Sequence, residues 1–261
     1  MENSIWVEPR NITSIDDCYF YHTMDIPGYG IVHGEWDLRG REASYLGNVS
    51  LQGKRVLELG TASGYLCFTM EKMGAEVVAY DLSEEQEWDI VPYAGYDYAE
   101  QIAERKKHLG RINNGFWLAH KACHSHAKVV YGTVYAIPSS IGRFDVCTFG
   151  SILLHLRDPF LALQRVSEHV RETAIVTDMA PAPPDKMQDA LVDHRLIRFL
   201  PDARTRSPTE TWWQLPPGLI AEFLQILGFV HTEVSYHRQR HHGDKEIYLY
   251  TVVGRRDAQR P

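Results

Sequence analysis

Between Lys54 and Leu66 the chain runs KRVLELGTASGYL: a short apolar strand, a glycine turn and the first residues of a helix. A second strand, Glu76 to Tyr80, follows and ends on Asp81, 17 residues beyond Gly64. Few other arrangements of the chain satisfy a strand, a tight turn, a helix and another strand at that spacing than a parallel βαβ unit. Gly60 and Gly64 lack a Cβ, so the backbone can turn sharply and a ligand can approach it closely. A carboxylate at the tip of the second strand can accept both hydroxyls of a ribose, in charge-assisted bonds of roughly 1.5–3 kcal/mol each. Together these residues predict a nucleoside site.

A dinucleotide site uses G-x-G-x-x-G to bring a pyrophosphate onto a helix N-terminus. Here the run is Gly60-Thr61-Ala62-Ser63-Gly64, so Ala62 replaces the middle glycine and a nicotinamide oxidoreductase is disfavoured. Glu58, just before the turn, would repel phosphate and welcome a cationic amino group. This E-x-G-x-x-x-G turn with a downstream acid resembles the cofactor motif of class I S-adenosylmethionine-dependent methyltransferases. The resemblance implies that Glu58 sits by the methionine end. It places Gly60, Thr61, Ala62 and Gly64 under the sugar, with Asp81 and Leu82 at the ribose. It also implies an α/β fold: a Rossmann-like seven-stranded sheet with helices on both faces and a C-terminal antiparallel hairpin.

The remaining strands fit that expectation. Lys128 to Tyr131 is a third strand. In the family the loop after it lies by the adenine and often offers an acid; Thr133 stands there instead, leaving its hydroxyl and the Val134 backbone. Phe144 to Gly150 is nearly continuously apolar, as a central parallel strand should be. Ligands of open α/β sheets bind beyond the carboxyl ends of the strands, which places Gly150, Ser151 and His155 near the transferred methyl group. A fifth strand runs from Glu172 to Asp178. Val230 to His237 and Glu246 to Val253 form the closing hairpin, joined through His241-His242-Gly243-Asp244. Helices are predicted at Tyr65–Gly74, Tyr98–His108, Phe116–His124, Phe160–Val170, Met187–Phe199 and Gly218–Leu227, with a turn at Asn113-Asn114-Gly115.

Residues 1–50 are predicted to form an arm or lid over a methyltransferase domain of residues 51–261, with substrate-shaping insertions near 88–126 and 180–211. Within the arm, Trp36 and Arg39 are expected to close over the methionine end, Arg39 pairing with its carboxylate. A neutral histidine near pH 7 suits proton abstraction from a hydroxyl; His155 is the first candidate and His22, in the arm, the second. Tyr21 and Trp117 are expected against the acceptor. Trp212 and Trp213 either wall an aromatic substrate or belong to the core. His120 and His124 are spaced i, i+4, beside Cys123 and His126, but no acid or second pair completes a ligand set, so no metal is expected.

Composition sets the remaining bounds. The net charge of −7 gives no basic stripe for a phosphate backbone, which disfavours nucleic acid. No apolar run is long enough for a bilayer, no secretory signal is visible, and four scattered cysteines suggest buried thiols; a cytoplasmic protein is expected. A second resemblance lies in FGSILLHLRDP and in Trp212-Trp213-Gln214-Leu215-Pro216 followed by a helix and Gly228-Phe229. In scattered patches over residues 34–236 it is similar to the tRNA wobble-uridine carboxymethyltransferase group. The function expected is methyl transfer from S-adenosylmethionine to an O or N nucleophile of a small, aromatic or natural-product-like molecule. A tRNA-modifying enzyme and a catalytically inactive nucleoside-binding regulator are the alternatives. Acceptor atom and oligomeric state have no signature in the sequence.

Overall fold

The structure is a computed structural model and describes residues 4–183, 196–243 and 245–257. Its centre is an eight-stranded sheet. Five strands are parallel neighbours: β4 (Arg55–Leu59), β5 (Glu76–Asp81), β6 (Lys128–Tyr131), β7 (Phe144–Gly150) and β8 (Val170–Met179). The closing hairpin, β11 (His231–His241) and β12 (Lys245–Arg255), extends the sheet through antiparallel pairing of β12 with β8. Across the sheet the order is β6, β5, β4, β7, β8, β12, β11.

Seven strands were expected from the sequence, and the eighth comes from the arm. β3 (Trp36–Asp37) pairs antiparallel with the outer edge of β11, Trp36 facing His241 and Asp37 facing Arg240. Two residues of arm thus cover the last two positions of an edge strand eleven residues long. A small hairpin precedes it, β1 (Met24–Ile26) with β2 (Gly30–Val32).

Helices pack on both faces. α1 (Glu42–Tyr45), α2 (Tyr65–Lys72) and α3 (Ala99–Ala122) belong to one side, where Tyr45, Phe68, Phe116 and Trp117 join the arm's Phe20 and Met24 in one core. α4 (Pro159–Ser167) and α5 (Pro217–Ile226) cover the other, through Leu163, Val166, Ile220 and Leu224. β4 is central, and Val56, Leu57 and Leu59 are completely buried, as a strand covered on both faces requires. α4 begins where Asp158 accepts the Leu161 N–H at 2.9 Å, with Pro159 in the first turn.

α3 corrects the sequence reading: one helix of 24 residues runs through the predicted turn. Asn113, Asn114 and Gly115 serve tertiary contacts there. Asn113 donates to the Leu82 carbonyl at 3.2 Å, and Asn114 to the Asp17 carbonyl at 3.1 Å. A Cβ on Gly115 would stand 2.7 Å from the Tyr19 carbonyl oxygen, so glycine lets the arm lie against the helix. The predicted helix at Met187–Phe199 falls mostly outside the described residues. Its last two residues are the strand β9 (Arg198–Phe199), paired with β10 (Trp213–Gln214). The four cysteines are free, with Cys67 and Cys147 inside the core. Among the described residues no helix is long and apolar enough to cross a membrane.

Candidate active site

β4 and β5 deliver two acids to the carboxyl edge of the sheet. Gly60 leaves β4 with φ of +79°, and a Cβ there would lie 2.4 Å from the Ile152 side chain. Ala62 follows in the left-handed region, and its N–H donates to Asp81 at 2.7 Å. The other Asp81 oxygen accepts the Leu82 N–H at 2.7 Å. A carboxylate offers about four acceptor positions, so two remain for a ligand. Burial raises the Asp81 pKa, and these two backbone bonds oppose it. Glu58 is buried too, and its pKa is pushed up to about 8, chiefly by desolvation. The Thr61 hydroxyl donates to it at 2.6 Å, which favours the charged form.

Two adjoining cavities open at this edge, of about 410 and 340 Å³, within the range of small-ligand sites. Gly60, Asp81, Arg105, Ile152, His155 and Glu210 line both. The first cavity lies toward β5 and β6 and collects Leu82, Thr133 and Val134, as expected from the sequence. It also collects Glu87, Trp88 and Asp89 from the loop after β5, which sequence reasoning missed. Asp89 accepts the Tyr135 hydroxyl and, at 2.6 Å, the Arg157 N–H. The acids Glu87 and Asp89 stand on the loop after β5, not at Thr133. Their one signal was Trp88-Asp89 standing beyond the second strand.

The second cavity lies toward the arm. Glu58, Gly150 and Ser151 line it beside Tyr21, His22, Glu35 and His108. His155 has solvent-accessible surface within the cavities, yet surrounding protein desolvates it enough to lower its pKa. Its Nδ1 stands 2.7 Å from the Glu210 carbonyl oxygen. A carbonyl only accepts, so Nδ1 carries the proton and Nε2 keeps a lone pair. His22 is buried, with its pKa lowered to about 4 by desolvation, and its Nδ1 has no partner among the described residues. Glu35, Arg105, His108 and Glu210 were not foreseen; they lie far apart in sequence and share no motif. Arg105 forms an ion pair with Glu210 at 3.4 Å, spanning the junction of the two cavities.

Several expected residues lie elsewhere. Trp117 is buried in the core, donating to the Tyr131 hydroxyl at 3.0 Å, and does not border either cavity. Trp212 and Trp213 donate to the Asp89 and Leu156 carbonyls at 3.0 and 2.9 Å; they fasten loops behind the site rather than wall it. Arg39 grips its neighbour Asp37 at 2.8 Å and faces a separate groove. Trp36 stacks on His241 with centroids 4.3 Å apart. Thr61 turns inward to Glu58, and Gly64 is needed for the turn: its Cβ would meet the Phe68 ring at 2.6 Å. His120 bonds the Ala127 carbonyl at 3.0 Å, and the His120–His124 pair gathers no third ligand among the described residues.

A family model described as a methyltransferase domain matches residues 37–227. No curated protein matches the chain in sequence. The N-terminal domain of EvdMO1, crystallised with SAH and D-fucose, is 17% identical, with 93% of this chain and 92% of that one covered and a TM-score of 0.54. A putative methyltransferase from Bacillus halodurans is 13% identical over 84% of this chain and 99% of its own, with a TM-score of 0.50. The methyltransferase SibL in its apo form is 11% identical over 85% of this chain and 56% of its own, with a TM-score of 0.51. At these identities the likeness concerns the fold. The strand order, the acids at the ends of β4 and β5, and a match that spans most of the chain agree: the protein belongs to the methyltransferase-domain family, as a class I enzyme that uses S-adenosylmethionine.

Proposed function

We propose that the enzyme methylates a hydroxyl group of a small, polar acceptor, with His155 as general base. The observation that carries this is the fixed His155 tautomer: Nδ1 is held by the Glu210 carbonyl at 2.7 Å, which leaves Nε2 free to take a proton. Bound S-adenosylmethionine supplies an electrophilic methyl group. Asp81 and Leu82 hold the ribose, Thr133 and Val134 the adenine, and Glu58 the ammonium of the methionine end. Gly60, Ala62, Gly150 and Ser151 border that path. The chain's own contribution is orientation, which supplies up to roughly 7–11 kcal/mol in favourable cases, and proton removal, which adds about 10²- to 10⁴-fold.

The acceptor stands in the second cavity. With Trp117, Trp212 and Trp213 outside it, Tyr21 is the one expected aromatic residue that lines it, beside Tyr45 and Phe149. Glu35, Arg105, His108 and Glu210 offer hydrogen bonds instead, and favour a hydroxylated molecule. A sugar accompanies SAH in the EvdMO1 domain, so monosaccharides and polyols are the first acceptors to screen. Residues 1–50 act as the arm that closes this cavity, through Tyr21, His22 and Glu35, and exclude water from the transfer. His22, neutral and enclosed, is the second base position.

The test is a methyl-acceptor screen with isotope-labelled S-adenosylmethionine, followed by His155→Gln with the acceptor found. Turnover falls at least 100-fold, the acid limb of the rate–pH profile disappears, and cofactor affinity stays within about threefold, in keeping with lost general-base catalysis. Undiminished turnover in His155→Gln with His22→Phe added overturns the general-base reading.

A further inference from the structure

Outside the cofactor cleft, one group of side chains has the composition and spacing of a metal site. We infer that Glu35, His241 and His242 bind a divalent transition-metal ion of the zinc class, clasping the arm to the closing hairpin. One ligand atom from each lies within 4.8 Å of the others.

Strand register brings them together. In the β3–β11 pairing Asp37 faces Arg240 and Trp36 faces His241, so the next positions outward are Glu35 and His242. The His242 N–H donates to the Glu35 carbonyl at 2.7 Å, continuing the ladder past the end of the strands. Adjacent residues of a strand point to opposite faces. His242, however, has φ of +45°, and the two imidazoles stand side by side with centroids 4.1 Å apart. A left-handed histidine costs of order 1 kcal/mol or more, in a turn where glycine or asparagine would serve freely.

The donors are prepared for a cation. Nδ1 of His241 is buried and has no hydrogen-bond partner among the described residues. One Glu35 oxygen accepts the Tyr19 hydroxyl, which leaves the other for coordination and orients the carboxylate as an outer partner of a metal site does. Arg111, which lines the same groove, is turned to the Asp16 and Cys18 carbonyls, and the exposed Lys245 is the residue paired with His241 across the hairpin. Two imidazoles and a carboxylate suit zinc, cobalt(II) or iron(II) rather than magnesium or calcium, which prefer all-oxygen shells. With bonds near 2.0–2.2 Å, ligand atoms around one zinc stand about 3.3–3.5 Å apart, closer than the 4.8 Å that bounds the three here, so the side chains draw together on binding. The first and last thirds of the sequence meet here, and Glu35 also borders the acceptor cavity. Neither half carries a recognisable metal motif.

The experiment uses the full chain stripped with chelator, titrated with zinc by calorimetry and with cobalt(II) by visible absorption. One equivalent binds in the wild type, with ligand-field bands of a nitrogen–oxygen site. Affinity falls at least tenfold in His242→Ala and in Glu35→Gln, while His126→Ala, which alters the other histidine cluster, binds as the wild type does. Circular dichroism checks the fold of each variant. Absence of stoichiometric binding by folded wild type overturns the inference, and so does binding unchanged in both His242→Ala and Glu35→Gln.

Discussion

At one end of the cleft, Glu58, Gly60, Ala62 and Asp81 come from a single strand–turn–helix–strand unit between residues 58 and 81. At the other, Tyr21, His22, Glu35, His108, His155 and Glu210 come from five places between residues 21 and 210. The cofactor end is a property of local chain connectivity: β4 and β5 pair in register, so Ala62 and Asp81 must meet. The acceptor end depends on the arm, the long helix α3 and two loops all packing at once. Changes at the first end should act directly on cofactor affinity. Changes at the second should act on the acceptor and leave the cofactor alone.

Asp81→Ala gives the largest effect. Two ribose bonds at roughly 1.5–3 kcal/mol each correspond to a loss of about 10²- to 10⁴-fold in S-adenosylmethionine affinity. The same change frees the Ala62 and Leu82 N–H groups that shape the turn. Tyr21→Phe, at the acceptor end, leaves that affinity within about threefold, since the hydroxyl it removes accepts the Trp36 indole N–H at 3.2 Å, a bond within the arm and not to the turn. Calorimetric titration of both variants checks the comparison, and equal losses would erase the distinction between the ends.

Gly64→Ala comes next and separates crowding from backbone strain. At φ of +88°, the added Cβ would lie 2.6 Å from the Phe68 ring and 2.8 Å from Phe116. The expected loss in urea unfolding is about 2–4 kcal/mol, from strain and overpacking together. Gly95→Ala has a positive φ but open space around its Cβ, and should lose only about 1 kcal/mol. Similar losses at the two glycines would mean that the turn tolerates the ring contact.

The same contrast explains what could be read from the sequence. KRVLELGTASG followed by Asp81 is legible because each residue's place is set by near neighbours. Thr61 and Gly64 belong to that turn as expected, though they hold it from beneath. Trp117 is expected against the acceptor and lies in the core, and Trp212 and Trp213 stay open between wall and core in the sequence, because an aromatic residue carries the same signal in a core, behind a loop or in a pocket. Arg39 has the charge for a ligand carboxylate, but Asp37 two residues away captures it first. Asn113-Asn114-Gly115 has turn composition, and the helix overrides it because those residues gain partners on the arm and on β5's loop. Glu35 and His241-His242 are linked only by the register of β3 on β11, a pairing that no local pattern announces.

pH tests the cofactor end with a smaller effect. Glu58, raised from 4.5 to about 8, stays protonated in the fold where the unfolded chain has lost that proton. Stability without cofactor therefore falls as pH rises between 4.5 and 8, by at most about 1.4 kcal/mol per pH unit, and levels off above. Asp178, raised to about 7, acts in the same direction up to that pH. His22 and His237, lowered from 6.5 to about 4, act in the opposite sense, but only below 6.5. Between pH 7 and 8 the Glu58 contribution remains, and Glu58→Gln should flatten the urea-unfolding free energy there. Cofactor affinity has the reverse slope, rising toward pH 8 as Glu58 ionises to meet an ammonium. Parallel slopes for stability and affinity would remove Glu58 from the methionine end.

Trp213→Phe should have the smallest effect, and it bears on the acceptor end. Its indole N–H donates to the Leu156 carbonyl at 2.9 Å, one residue beyond His155, while its ring borders neither cavity. Losing that bond costs about 1 kcal/mol of stability, a small drop in the thermal midpoint. If the ring only fastens the loop, the acceptor KM stays within about twofold and turnover follows it. A rise in KM alone would return Trp213 to the acceptor wall. A fall in turnover at unchanged KM would mean that the Leu156 anchor sets the direction of the His155 Nε2 lone pair, making Trp213 a positioning residue for proton removal.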